Sequence, residues 1–255
     1  MQIALPRAGL ERYESKSRRA GVATEAWGLR NLYCPNCQSP SLTGLAINTP
    51  AVDYTCPDCS APFQLKARSS AFAGRIVDAA YSTMVRAIRE ECTPNLFALH
   101  YEPDEWRVAN LILIPHFAFP LSAIEKRKPL GPDARRAGWV GCNILLSAIP
   151  LDARISVIAG GKPAAPADVR AQYARIRPLE ILKAEQRGWT LDVLNVVRSL
   201  GKAEFNLSEV YALESELARL HPANRHVRDK IRQQLQVLRD LGLLHFLGGG
   251  DYRLR

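Results

Sequence analysis

The chain has 255 residues, 47% of them hydrophobic, and carries 34 Lys and Arg against 25 Asp and Glu, a net charge of +9. Such a length and hydrophobic share fit one or two globular domains with a sizeable core and exclude a disordered chain. No apolar run approaches the roughly 18 residues of a membrane span, no signal-like apolar core opens the chain, and the basic balance suits a polyanionic partner rather than a membrane.

In chain order, Leu10 to Arg30 is mixed in charge and helix-compatible, with a break expected near Gly21 and Thr24 capping a second turn that buries Trp27. The next stretch is the most informative. Cys34 and Cys37 form one CxxC pair and Cys56 and Cys59 a second, with 18 residues between the pairs. This is the spacing of a four-cysteine zinc site, in which each pair supplies half a tetrahedron. Cysteines used this way fit a reducing cytoplasm better than a disulfide framework. Cys92 and Cys142 have no motif partners and are expected to be small core residues.

Residues 51–55 and 62–66 are short strand-like runs on either side of the second CxxC. If they pair as a hairpin turned by the zinc knuckle, Asp53 comes beside Gln64 and Lys66, which period-two alternation puts on one sheet face. An acid, a second oxygen ligand and a lysine on one face suit metal-assisted phosphodiester cleavage. The oxygens of Asp53 and Gln64 hold Mg²⁺, and Lys66 orients or deprotonates the attacking water.

Ser69 to Glu91 reads as a helix, because Ile76, Ala80, Met84 and Ile88 recur every four residues. Phe97–Tyr101 and Leu111–Ile114 read as strands, with Trp106 between them, giving an α/β order. Residues 125–142, EKRKPLGPDARRAGWVGC, are a Pro- and Gly-punctuated basic loop. Arg135, Arg136 and Trp139 suit contact with phosphates and with a base or groove, although a tryptophan anchored in the core explains the pattern equally well. Strands over 144–149 and 154–158 and a short helix over 169–182 complete this half. A nuclease domain over 1–182 and a second domain over 183–255 are expected.

The second domain reads as a mainly α winged helix. Thr190 caps a helix carrying Leu191, Leu194, Val197 and Leu200; Asn206 or Ser208 starts another with Val210, Leu213, Leu217 and Leu220; Asn224 starts a third with Val227, Ile231, Leu235 and Leu238. A hairpin turned at Gly248–Asp251 is the wing. Arg228, Arg232 and Gln233 lie off the apolar stripe of the third helix, where Arg and Gln can contact guanine and adenine edges.

Three blocks, WGLRNLYCPNC with the second CxxC, RKPLGPDARRAGWVGCNI, and KIRQQLQVLRDLGLL before the glycine-rich turn, resemble the DpnI family of methyl-directed restriction endonucleases, in the same order and over almost the whole length. The resemblance implies an α/β core of the PD-(D/E)xK type with a structural zinc, followed by a winged helix. It implies Mg²⁺-dependent cleavage of double-stranded DNA at GATC bearing methylated adenine. It assigns Asp53 and Lys66 as catalytic acid and lysine, Cys34, Cys37, Cys56 and Cys59 as zinc ligands, and Trp139 as the tryptophan of a DNA-contacting loop. Glu11 and Glu25 are further candidate metal ligands, since a helical acid assists some such nucleases, although solvated helix charge explains them better. Gln64 departs from the family, which has an acid there. A glutamine carbonyl can ligate Mg²⁺ without adding charge, so weaker metal binding is expected. The alternative reading is a zinc and winged-helix regulator that binds methylated DNA without cutting it. A monomer in solution is expected.

Overall fold

The computed structural model describes residues 1–46 and 51–255. Helix α1 (Lys16–Asn31) is capped by the Ser15 hydroxyl, which accepts from the Arg18 amide. It runs unbroken through Gly21, against the expected break, and Thr24 is no cap: its hydroxyl donates to the Ala20 carbonyl at 2.8 Å. A glycine costs a helix about 1 kcal/mol, and burial of Ala20, Ala23 and Trp27 on one face outweighs it. The Trp27 indole N–H donates to the Gln2 carbonyl.

Strands β1 (Thr43–Gly44), β2 (Tyr54–Thr55) and β3 (Pro62–Arg68) follow. β2 and β3 pair antiparallel, with Tyr54 opposite Phe63, and the turn between them is the second cysteine knuckle. Gly28 is where α1 comes down onto this hairpin: a Cβ there would stand 2.4 Å from the Tyr54 hydroxyl, which donates to the Glu25 carbonyl.

The expected helix over 69–91 forms only in its second half. Arg75–Ala80 is a strand, β4, and the helix α2 spans Tyr81–Arg89. An interval of four residues fits one helical turn and two strand repeats alike, so the Ile76–Ala80 spacing did not discriminate. Alternation decides it: Ile76 and Asp78 point inward, Arg75 and Val77 outward. Cys92, beyond α2, is exposed rather than in the core, whereas Cys142 is buried as expected.

β5 (Asn95–Glu102) runs parallel to β3, reached through β4 and α2, as a parallel pair requires. β6 (Arg107–Ile114), β9 (Ile155–Ala159) and β10 (Lys162–Pro163) extend the sheet in the order β1-β2-β3-β5-β6-β9-β10. Between β6 and β9 lie β7 (Ile124–Lys126) and β8 (Gly141–Leu145), which form a second, antiparallel sheet in the order β4-β8-β7. Helix α3 (Pro166–Ile176) packs Val169, Tyr173 and Ile176 inward.

The C-terminal part holds α4 (Ala184–Ser199), β11 (Glu204–Asn206), α5 (Leu207–Tyr211), α6 (Glu214–Leu220), α7 (Val227–Asp240), β12 (Leu244–Gly248) and β13 (Asp251–Leu254). The winged arrangement is as expected, with β11 added as a third strand in the order β11-β13-β12. Three boundaries differ. Thr190 lies inside α4, its hydroxyl within hydrogen-bond distance of the Gln186 carbonyl and the Gln234 side-chain amide. The second helix is split by a turn at Ala212–Leu213, leaving Leu220 exposed while Val210 and Leu217 are buried. The third starts at Val227, because the Asn224 side chain takes the His226 amide and forms a turn before it. Asn206 is the N-cap of α5 in a full capping box with Glu209.

The two parts meet along α4. Arg198 pairs with buried Asp152 at 2.5 Å, the Ser122 hydroxyl donates to Asp192, and Asn195 donates to the Ser147 carbonyl. Among the described residues no helix is long and apolar enough to cross a membrane.

Candidate active site and nucleic-acid interface

The four motif cysteines converge as their spacing predicts. Their sulfurs all lie within 4.8 Å of one another, with Cys34–Cys59 at 3.6 Å and Cys37–Cys56 at 3.5 Å. These separations are far beyond a disulfide bond of about 2 Å and match the roughly 3.8 Å edges of a tetrahedron with 2.3 Å metal–sulfur bonds. Four thiolates with no open position fit a structural zinc. Burial opposes the Cys56 thiolate, but the Cys59 and Asp58 amides and the Cys37 and Cys59 thiols outweigh it and lower its pKa to about 7. Burial pushes the Cys34 thiol up. Zinc binding would offset that cost, since a metal deprotonates its coordinating thiols.

A residue outside the motif holds the first knuckle. Arg170, on α3, donates to the carbonyls of Cys34, Cys37 and Ser39 and stands 5.2 Å over the Tyr33 ring. No local sequence pattern announces this role. Arg170→Ala is expected to lower stability by about 2–3 kcal/mol, a drop of roughly 4–12 °C in Tm, and to hasten zinc release to a coloured chelator. Thermal melts and chelator kinetics check both.

Strand β3 carries the candidate chemistry. Gln64 is buried at 9% exposure, and alternation sets it and Lys66 on one face. The Lys66 ammonium lies 2.9 Å from a carboxylate oxygen of Asp78 on β4. Asp53 precedes β2, and its carboxylate accepts the Leu65 amide at 2.7 Å. It thus takes the place of a ladder acceptor at the edge of β3, between the positions of Gln64 and Lys66. Asp53 lines a cavity of about 410 Å³ with Glu25, Leu65 and Ala67, whereas Gln64 lines another of about 210 Å³ with Asp78 and Thr83. The hairpin brings Asp53 against β3, but into a cavity with Leu65 and Ala67 rather than the one lined by Gln64, so the expected meeting of Asp53, Gln64 and Lys66 on one face is not seen; the charge that meets Lys66 is Asp78. The Glu25 carboxyl is raised by partial burial and then by the nearby Asp53 charge, so two acids approach one another on the α1 side. Glu11 is exposed and lines a separate surface cavity with Arg7, Lys16 and Arg19.

The basic loop between β7 and β8 exposes Arg135 and Arg136. Trp139 is half-buried: its ring packs on Gly141, where a Cβ would stand 2.6 Å from it, and the Arg136 guanidinium lies 4.6 Å from its centroid. The tryptophan is thus fixed at the loop base yet remains partly open to solvent.

On α7, Arg228, Arg232 and Gln233 are all exposed. Arg228 pairs with Glu214 at 2.6 Å, and Arg232 donates to the Tyr211 hydroxyl. Both guanidinium groups lie over the Tyr211 ring, at 5.2 and 5.7 Å. Sequence reasoning missed Tyr211, which orders two arginines on the helix that would enter the groove.

An α/β domain with a four-cysteine cluster, followed by a helix-turn-helix domain with a small sheet, defines a class of DNA-binding protein. Within that class the chain belongs to the DpnI, or Dam-replacing, family, whose profile matches residues 1–182; the Dam-replacing HTH domain matches residues 185–254.

Proposed function

We propose that the protein is a Mg²⁺-dependent endonuclease that cuts double-stranded DNA at GATC-like sites containing methylated adenine, acting as a monomer in the cytoplasm. The observation that carries the reading is the 2.7 Å bond from the Leu65 amide to the Asp53 carboxylate, which ties an acid to the strand bearing Gln64 and Lys66. The oxygen donors suit a hard cation, and Asp53 keeps its second carboxylate oxygen for one. Asp53 would hold Mg²⁺, with Gln64 as a ligand once the two side chains, which line separate cavities here, are drawn to one ion; the metal when bound supplies polarisation of the phosphate and a more acidic water. Lys66 contributes a positive charge beside the phosphate oxygens and orients the water by hydrogen bonding. The zinc carries no chemistry and stiffens the hairpin. Domain limits at 1–182 and 183–255 divide the labour: the first cuts, and both read.

Methyl reading has a physical constraint. One buried methyl contributes only about 0.8 kcal/mol, roughly fourfold in rate. Two readings in series meet the need better than one, and Trp139 with Arg135 and Arg136 in the loop and Arg228, Arg232 and Gln233 on α7 are the proposed readers. Trp139→Ala is expected to shrink the ratio of methylated to unmethylated cutting by about fourfold or more; an unchanged ratio in matched digests would move methyl sensing elsewhere.

Gln64 favours a second reading, a protein that binds methylated DNA without cutting it. Incubation with Mg²⁺ and plasmid from methylating and non-methylating hosts separates the two. Scission of the methylated plasmid alone supports the nuclease, and retarded mobility without scission supports the binder.

A further inference from the structure

We propose that Asp78 is a positioning residue for Lys66, fixing the ammonium on the Gln64 face of β3; this rests on the nuclease reading above. The β4–β8 ladder slips between Val77 and Ala80, so Asp78 sits at an irregularity of the strand. Such bulges re-aim side chains. Here Asp78 keeps the inward direction that alternation sets at Ile76, with 4% of its side chain exposed against 30% for Lys66, and the irregularity follows it.

The buried oxygen that meets Lys66 accepts no hydrogen bond of good geometry among the described residues. Lys66 is therefore the charge that compensates it, and a buried carboxylate holds such a partner tightly. The nearby Cys142 thiol donates to the Ala79 carbonyl and leaves Asp78 to the lysine. Glu125 is occupied by Arg75 and Asn143.

The pairing also bears on position 64. Gln64 and Asp78 line the same cavity. With an amide at 64, the Asp78 carboxylate and the Lys66 ammonium balance one another, and Arg86 and Glu90, which also line the cavity, pair together. Asp78 restrains the long, flexible lysine at its tip, and restraint of a reacting group lowers the entropic part of a barrier.

The test uses the full-length zinc-loaded protein. Isosteric Asp78→Asn is expected to slow cutting of methylated plasmid in Mg²⁺ by on the order of 10²-fold, with DNA affinity in Ca²⁺ unchanged. Asp78→Glu is expected to recover part of the rate. An independent readout is the NMR signal of Lys66 after reductive ¹³C-methylation, assigned by its loss in Lys66→Arg. It should move in Asp78→Asn and return towards its original position in Asp78→Glu. Full cutting by Asp78→Asn, or an unmoved Lys66 signal with rate and melting temperature falling together, overturns the positioning role while leaving the nuclease reading intact. Absence of cutting by the unaltered protein overturns the nuclease reading and with it the catalytic purpose of Asp78, even where the Lys66 signal moves.

Discussion

Lys66→Ala is expected to slow cutting of methylated plasmid by about 10²–10³-fold or more, with DNA binding in Ca²⁺ nearly unchanged. The size follows from where the lysine stands. It is an ammonium on the face of β3 that carries the neutral Gln64, and it meets the buried Asp78 of β4. Removing it withdraws a fixed charge from a partly water-excluded position, where such charges have their greatest effect on a transition state. Binding is distributed differently. Arg135 and Arg136 in the loop and Arg228 and Arg232 on α7 are exposed and far more numerous than the one lysine. Each phosphate contact supplies a modest share of affinity. Rates from single-turnover digestion and affinities from gel retardation separate the two effects. Equal loss of both would make Lys66 a phosphate anchor or a structural residue.

What the sequence revealed, and what it hid, has a physical logic in these same residues. The cysteine pairs were legible because two ligands on one tight turn constrain each other locally. The β2–β3 hairpin followed from the knuckle between its strands, and the wing from Gly248 to Gly250, all three of which adopt positive φ. Asp78 was hidden by a choice of period. On a helical stripe through Ile76 and Ala80 it faces away from the core; on a strand it shares the inward face with Ile76. One misread element thus moved the lysine's partner from solvent to the interior. Trp139 could not be placed because a loop aromatic reads alike whether it faces a base or packs on a glycine. Tyr211 and Arg170 act across long separations, and local patterns do not record such contacts. Gly21 and Thr24 were read by local preference, which tertiary burial of Trp27 overrode.

Removing the zinc should have the largest effect on stability. Cys56→Ser, or prolonged chelation, is expected to lower Tm by roughly 10–20 °C, at about 2–4 °C for each kcal/mol lost. The reason lies in how little else holds the segment. β2 has two residues and β1 two more, too short to stand as an independent hairpin. Cys34 and Cys56 are fully buried, so without metal the site leaves thiols packed against one another in place of a bonded ion. Arg170 would still hold the Cys34 and Cys37 carbonyls, but with no ion to fix the sulfurs of the same turn. Acid should mimic chelation. Protons compete with zinc for the thiolates, so the metal is retained near neutral pH and lost as pH falls. Because the knuckle is the turn that sets Asp53 against the Leu65 amide, cutting should disappear along with the metal. Binding through α7 should persist, since the winged helix is built from other residues. Metal content by atomic absorption, melting curves, digestion and gel retardation, followed through one chelator titration, would report the four quantities together. A zinc-free protein that still melts at the original temperature would show that the four sulfurs are packing residues and that the hairpin stands without an ion.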